Sequence, residues 1–234
     1  MAPIVKEFQK YPSVECKVCV TAQHREMLDQ VLNLFDIVPD YDLDLMKDAQ
    51  NLNDTVSTIL TKIDPILSDC QPELVLVHGD TATTLSAALG SYFQKIDVGH
   101  VEAGLRTGDI YSPWPEELNR KLTTSIAKHH FVPTVENRQN LLNEGVAAKS
   151  SHITGNTVID ALLAVRNLIL EDTALEQSMY KFFENIDFNK RIILVTGHRR
   201  ENFGHGFANI CESLRQVSME FSDVEIVFPV HLNP

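Results

Sequence analysis

Four apolar runs in this chain end in clusters of residues able to do chemistry. LVLVHGDT closes on His78, Gly79, Asp80 and Thr81, and VGHVEAGLRTG carries His100, Glu102 and Arg106. ILVTGHRREN carries Gly197, His198, Arg199, Arg200, Glu201 and Asn202, and FPVHLNP carries His231. Between the second and third runs, SPWPEELNR sets Pro115 before Glu116 and Glu117. Two chemistries fit. His78-x-Asp80 and His100-x-Glu102 put a histidine and a carboxylate on one face of a strand, a spacing open to a divalent metal. Alternatively, the carboxylates move protons on a sugar-like carbon framework. The His-Arg-Arg cluster then holds a phosphate or diphosphate, aided by amides at the next helix N-terminus. The metal alternative has no HExxH or paired CxxC beside it. Plainer roles exist for each residue. Asp80 can cap a helix beginning at Thr81, Glu116 and Glu117 can favour a helix dipole after Pro115, and Arg199-Arg200 can be a solvated pair. The recurrence of histidine, carboxylate and glycine at several strand tips is what packing alone does not require.

The elements that must position these residues alternate along the chain. Strand patterns cover residues 14–21, 73–78, 97–101, 130–133, 152–154, 191–196 and 225–230. Helical patterns cover residues 3–10, 24–35, 52–68, 83–93, 116–128, 135–144, 158–170 and 207–220. Runs such as LVLV and IILV are apolar on both faces, which suits a parallel sheet covered by helices. The pattern predicts an α/β, doubly wound fold with ligands outside the carboxyl ends of the strands. Gln71-Pro72 ends one helix, and Gly145 stands where a C′ glycine closes another. The polar stretch 172–189 marks a boundary near a fresh strand. The chain opens on a helix rather than a strand, and its last strand is followed only by HLNP, so the pattern reads as part of something longer. A second sheet of only two strong strands is not expected to bury both its faces.

Composition narrows the functions. The 234 residues are 44% hydrophobic and 22% charged, which suits a globular chain. With 20 basic against 32 acidic residues the formal charge is -12, which argues against a nucleic-acid or anionic-membrane binder. No run approaches a membrane span and no signal pattern opens the chain, and four cysteines make no disulfide framework, so the cytoplasm is the expected compartment. Cys16-Lys-Val-Cys19 has redox spacing but falls within an expected strand and reads as core packing. Gly204-His-Gly206 is followed by Asn209 where a dinucleotide fingerprint needs glycine, and there is no Walker A lysine and no GxSxG. Trp114, between two prolines, walls a pocket or fills a gap.

The blocks HGDTATT, VEAGLRTGDIYSPWPEELNRKL, HITGNTVIDAL, VTGHRRENFG and PVHLNP, in this order, closely resemble the non-hydrolysing UDP-N-acetylglucosamine 2-epimerases of bacteria. The resemblance implies two Rossmann-like domains of the glycosyltransferase-B type, here 1–157 and an incomplete 190–234 joined by connector helices at 158–189. The first of these domains would lack its opening strand. It implies interconversion of UDP-GlcNAc and UDP-ManNAc for surface polysaccharide synthesis, through elimination of UDP to a 2-acetamidoglucal and its return. No cofactor and no metal are implied, and a homodimer is expected of the full-length enzyme. The family's catalytic residues fall on Asp80, Glu102, Glu116 and His198, with Arg199 and Arg106 as substrate-binding residues. An activating UDP-GlcNAc site falls on Gln23, Gln50, Arg199 and His231. Family members open with a strand and a GTRPE-type loop that has no counterpart here, and HLNP precedes most of the second domain. Little or no epimerase activity is therefore expected of the chain as it stands. The rivals are a hydrolysing epimerase or glycosyltransferase on the same scaffold, and an inactive remnant serving as a binding module.

Overall fold

The computed structural model describes residues 1–22, 25–45, 51–197 and 205–229. The chain forms two compact units, Met1–Val165 and Arg166–Pro234. The first unit begins with α1 (Ala2–Phe8), β1 (Cys19–Val20), α2 (Arg25–Leu34) and β2 (Tyr41–Asp42). It continues through α3 (Leu52–Cys70), β3 (Leu74–His78), α4 (Ala82–Phe93), β4 (Asp97–Val101), α5 (Glu116–Ile126), β5 (His129–Val132), α6 (Val135–Asn143) and β6 (Ser151–Ile153). Helix α7 (Thr157–Glu171) runs from the first unit into the second, which holds α8 (Thr173–Phe182), β7 (Arg191–Leu194), α9 (His205–Glu220) and β8 (Val224–Val227).

The fold is α/β with parallel sheets, as the strand–helix alternation predicts. Strands β3-β4-β5-β6 form one four-stranded parallel ladder in chain order. Strands β1 and β2 form a separate parallel pair, and β7 and β8 another. Short polar caps set the helix starts. Asn51 accepts from Asp54 N at 3.0 Å, Thr81 from Thr84 N at 3.3 Å and Thr134 from Asn137 N at 3.2 Å. Gly145, at φ +88°, closes α6 in the left-handed region, as expected of a C′ glycine.

The core of the first unit lies between ladder and helices. Val77 and Val98 pack on Ala88 of α4, while Val132 and Ala103 pack on Leu141 of α6. Leu43 and Leu45, after β2, pack on Ile59 of α3. Each valine, leucine and isoleucine among them contributes roughly 1.5–3 kcal/mol on burial, so these clusters fix where the strand tips stand.

Three elements depart from the sequence pattern. The expected strand at 14–21 pairs only over Cys19–Val20; Cys16 lies before it and Cys19 is exposed, so neither thiol is core packing. Strand β2 has two residues, too few for any periodicity to show. Helix α8 rises from the polar stretch taken as a boundary, because Asp172 accepts from Ala174 N at 2.9 Å and Leu175 N at 3.0 Å. In the second unit all four residues of β7 are exposed, in keeping with a two-stranded sheet that cannot bury both faces. Among the described residues, no helix is long and apolar enough to cross a membrane.

Candidate functional site at the tips of two parallel strands

Strands β3 and β4 run side by side and end together, with His78 paired in register with Val101. Asp80 follows one tip and Glu102 the other. The turn between β3 and α4 is held to β4 twice: Gly79 N donates to Val101 O at 3.0 Å, and His100 Nε2 lies 2.7 Å from Gly79 O. His100 is fully buried, and that burial pushes its pKa down to about 4. It is therefore neutral and acts as a structural donor rather than a ligand.

Asp80 does not cap the next helix. Thr81 does so, and the Asp80 carboxylate turns toward α5, accepting from Arg120 Nη2 at 2.6 Å. Asn119 Nδ2 holds the Asp80 carbonyl at 2.8 Å. Arg120 in turn meets Glu117 at 3.2 Å. Glu117 is completely buried and also accepts from Thr107 N and Gly108 N, both at 3.2 Å. Glu117 thus ties the loop after β4 to the arginine that grips Asp80, a task well beyond favouring the α5 dipole. Glu116 lies three and four residues before Asn119 and Arg120, on the helix face that reaches Asp80.

Glu102 sits at φ +65°, a left-handed conformation uncommon for a residue with a side chain. Its carboxylate lies 3.4 Å from His78 Nε2 and accepts from Asn156 Nδ2 at 3.3 Å. Burial is the main cause lowering the His78 pKa, followed by the amino-terminal charge nearby, with Glu102 and Asp80 opposing. The i, i+2 spacing does not make two metal pairs. His100 is used on Gly79, and His78 pairs across strands with Glu102. Among the described residues, no group of three or more histidine, cysteine or carboxylate side chains is placed to hold a metal ion.

The structure brings Asp80 and Glu102 to neighbouring tips and sets Glu116 on the helix that reaches Asp80. It does not bring Arg106. The Arg106 guanidinium forms a two-pronged pair with Glu144 at 2.8 and 2.7 Å and reaches Thr124 Oγ1 at 3.0 Å. Glu144 is the C-cap of α6, at the opposite end of that helix from the one that follows a strand tip. Arg106 ties α5 to α6 through Thr124 and Glu144. His198, Arg199, Gln23, Gln50 and His231 lie outside the described residues. Trp114 is 54% exposed, so it fills no gap in the core. Arg120, Asn119 and Asn156 carry no expectation from the sequence, and Glu117 carries only that of a helix-dipole or loop-junction carboxylate. For Arg120 a signal existed, since it follows Glu116 and Glu117 at i+4 and i+3; for Asn156 there was none. Beside Asn119 a cleft of about 290 Å3 opens, walled by Leu52, Val56, Leu60, Ala82 and Pro115.

Residues 6–234 match the family model described as UDP-N-acetylglucosamine 2-epimerase. The chain is 56% identical to the UDP-N-acetylglucosamine 2-epimerase of Escherichia coli strain K12 over 234 residues, covering 100% of this chain and 62% of that protein. Identity to the Salmonella typhimurium enzyme of the same name is 55%, with the same shares covered. Among solved structures, the UDP-GlcNAc 2-epimerase from Neisseria meningitidis bound to UDP-GlcNAc superposes with a TM-score of 0.95 at 48% identity, covering 100% of this chain and 63% of that one. The Methanocaldococcus jannaschii enzyme in complex with UDP-GlcNAc and UDP gives 0.84 at 31% identity, covering 99% and 62%. The chain thus spans about 62% of the length of the curated relatives it matches.

Proposed function

Since the chain belongs to the UDP-N-acetylglucosamine 2-epimerase family, we propose that its strand-tip carboxylates serve the isomerisation of UDP-GlcNAc to UDP-ManNAc. In that reaction a base removes the hydrogen at C2 of the hexose, the C1–C2 double bond forms, and the C1–oxygen bond to UDP breaks. The 2-acetamidoglucal then takes a proton at C2 on the other face while UDP returns to C1. The C2 hydrogen is weakly acidic, so a placed carboxylate is required, and inversion needs proton transfer on two faces. The observation that carries the proposal is the pair Asp80 and Glu102. They come from separate strands, end side by side, and are each fixed by partners from other elements, Arg120 for one and His78 with Asn156 for the other.

Glu116 is assigned as the third proton-transfer group, and His198 with Arg199 as the donors that stabilise the departing diphosphate. Gln23, Gln50, Arg199 and His231 are assigned to a second, activating UDP-GlcNAc site. The enzyme is proposed to act as a cytoplasmic homodimer supplying surface polysaccharide synthesis. The 234-residue chain alone is proposed to turn over far more slowly than its longer relatives. These assignments rest on the match of the sequence blocks to the family.

Incubation with UDP-GlcNAc in D2O, followed by NMR, tests this. Slow formation of UDP-ManNAc bearing deuterium at C2, abolished by Asp80→Asn, is expected. Release of free ManNAc would favour a hydrolysing enzyme. Turnover equal to that of the Escherichia coli relative would overturn the proposed impairment, and complete absence of C2 exchange would remove the activity from this chain.

A further inference from the structure

Glu102 is held from an element two places away in the ladder, since β5 lies between β4 and β6. Past the last residue of β6, Thr154 N still donates to Val132 O of β5 at 3.0 Å. Gly155 then turns the chain in the left-handed region at φ +77°. Asn156 follows. Its main-chain carbonyl accepts from Ile159 N and its side-chain Oδ1 from Val158 N, both at 3.0 Å, so Asn156 caps the start of α7. Beside β4, Ala103 N donates to Phe131 O of β5 at 3.0 Å, which ties the residue after Glu102 to the same strand. β5 is thus the common support of Glu102 and Asn156.

A main-chain N–H only donates, so the Val158 contact fixes which end of the Asn156 amide is oxygen. The Nδ2 end faces Glu102 and donates to Oε1 at 3.3 Å. An amide nitrogen accepts nothing, so a proton on Oε1 would meet an N–H rather than a lone pair. The other oxygen differs. Oε2 lies 3.4 Å from His78 Nε2, at the long limit for a hydrogen bond, and a Cβ added at Gly79 would stand 3.7 Å from it. Asp80 is built alike. Arg120 Nη2, also a donor that cannot accept, takes Oδ2 at 2.6 Å, and among the described residues Oδ1 accepts no hydrogen bond. A cap alone does not call for asparagine, since aspartate and serine cap as well. What asparagine adds is a donor aimed away from the helix it caps.

Resting on the reading of Asp80 and Glu102 as proton-transfer groups, we propose that Asn156 is a positioning residue for Glu102. It keeps Oε1 as a fixed acceptor and leaves Oε2 as the oxygen that exchanges a proton with C2 of the hexose. Arg120 does the same for Asp80, leaving Oδ1. Anchoring one oxygen stops the carboxylate from turning about its last bond, so the free oxygen holds one direction toward the ligand.

Two variants of the 234-residue chain keep the cap and differ in the donor. Asn156→Ser retains an acceptor for Val158 N, but its hydroxyl is too short to reach Glu102. Asn156→Asp retains shape and acceptor, and donates to Oε1 only when it carries a proton, which two carboxylates this close share as pH falls. Deuterium exchange at C2 of UDP-GlcNAc in D2O is followed by NMR from about pH 8 to about pH 5.5, a span in which such a pair takes up its proton. Each rate is divided by that of the parent chain at the same pH, which removes the titration of His78, Asp80 and the amino terminus around Glu102. Asn156→Ser is expected to lower kcat about 100-fold, with KM within about twofold and the melting midpoint within about 2 °C. Asn156→Asp is expected to be as slow at the alkaline end and to recover about tenfold or more at the acid end. Parent-like exchange in Asn156→Ser would overturn the proposal, as would a loss carried by KM or by the melting midpoint. So would an Asn156→Asp chain that stays as slow as Asn156→Ser at every pH. With Asp80→Asn still abolishing exchange, those results leave the carboxylates in the reaction and remove only the role of Asn156. A parent chain without C2 exchange would remove the reading beneath, and this role with it.

Discussion

Truncating Glu117 to alanine removes a carboxylate with no solvent exposure that serves three partners: Arg120 at 3.2 Å and the amides of Thr107 and Gly108 at 3.2 Å. The two amides belong to exposed residues and can turn to water, so their loss is small. Arg120 is itself buried, and only Asp80 would remain to balance it. Breaking a buried pair from one side costs about 3–5 kcal/mol. For a chain of this size each kcal/mol lowers the melting midpoint by about 2–4 °C, so a fall of roughly 6–20 °C is expected. Glu117→Gln keeps the shape and one acceptor and should lose about 1.5–3 kcal/mol. Thermal melts by circular dichroism, read on the transition that carries β3 to β6, measure both. A cycle with Arg120→Met should show a coupling of about 1 kcal/mol or more. A Glu117→Ala midpoint within about 2 °C of the parent would refute the assigned role.

Gly104 stands at φ +87°, where an added Cβ would lie 2.3 Å from the carbonyl oxygen of Asn137; Gly104→Ala should cost about 3 kcal/mol or more, measured by urea unfolding. Arg106→Ala should destabilise by about 2 kcal/mol through loss of the Glu144 pair, yet leave affinity for UDP-GlcNAc in titration calorimetry unchanged. A tenfold loss of affinity with unaltered stability would return Arg106 to the ligand. Burial lowers the pKa of His100 to about 4 and that of His130 to about 4. In the unfolded chain these histidines bind protons near pH 6.5, so the folded state binds fewer protons between there and pH 4. Stability is then full above about pH 6.5 and lost as pH falls toward 4, by up to about 3 kcal/mol per histidine. Urea midpoints across that range check it, and His100→Asn should flatten the decline.

Much of this was legible in the chain because the physics was local. LVLV is a strand because it is apolar on both faces, and Gly145 ends α6 because its left-handed backbone suits glycine. The candidate site was legible as strand tips, since parallel strands deliver their following residues to one edge. What holds the site was not. Arg120 reaches back forty positions to Asp80, and Asn156 reaches back fifty-four to Glu102, distances over which no periodicity operates. The partner of Arg106 was equally out of sight: Glu144 lies thirty-eight positions on, at the C-cap of α6. The short β2 escaped for a second reason: its two residues carry no pattern.

The central claim is that Asp80 and Glu102 stand within reach of the reacting carbon. A crystal structure of the chain soaked with UDP-GlcNAc measures this directly. The account requires C2 of the hexose between the two carboxylates, with at least one oxygen within about 3–4 Å of it. A hexose seated away from both tips, or carboxylates still turned to Arg120 and His78 with the sugar beyond their reach, would contradict it.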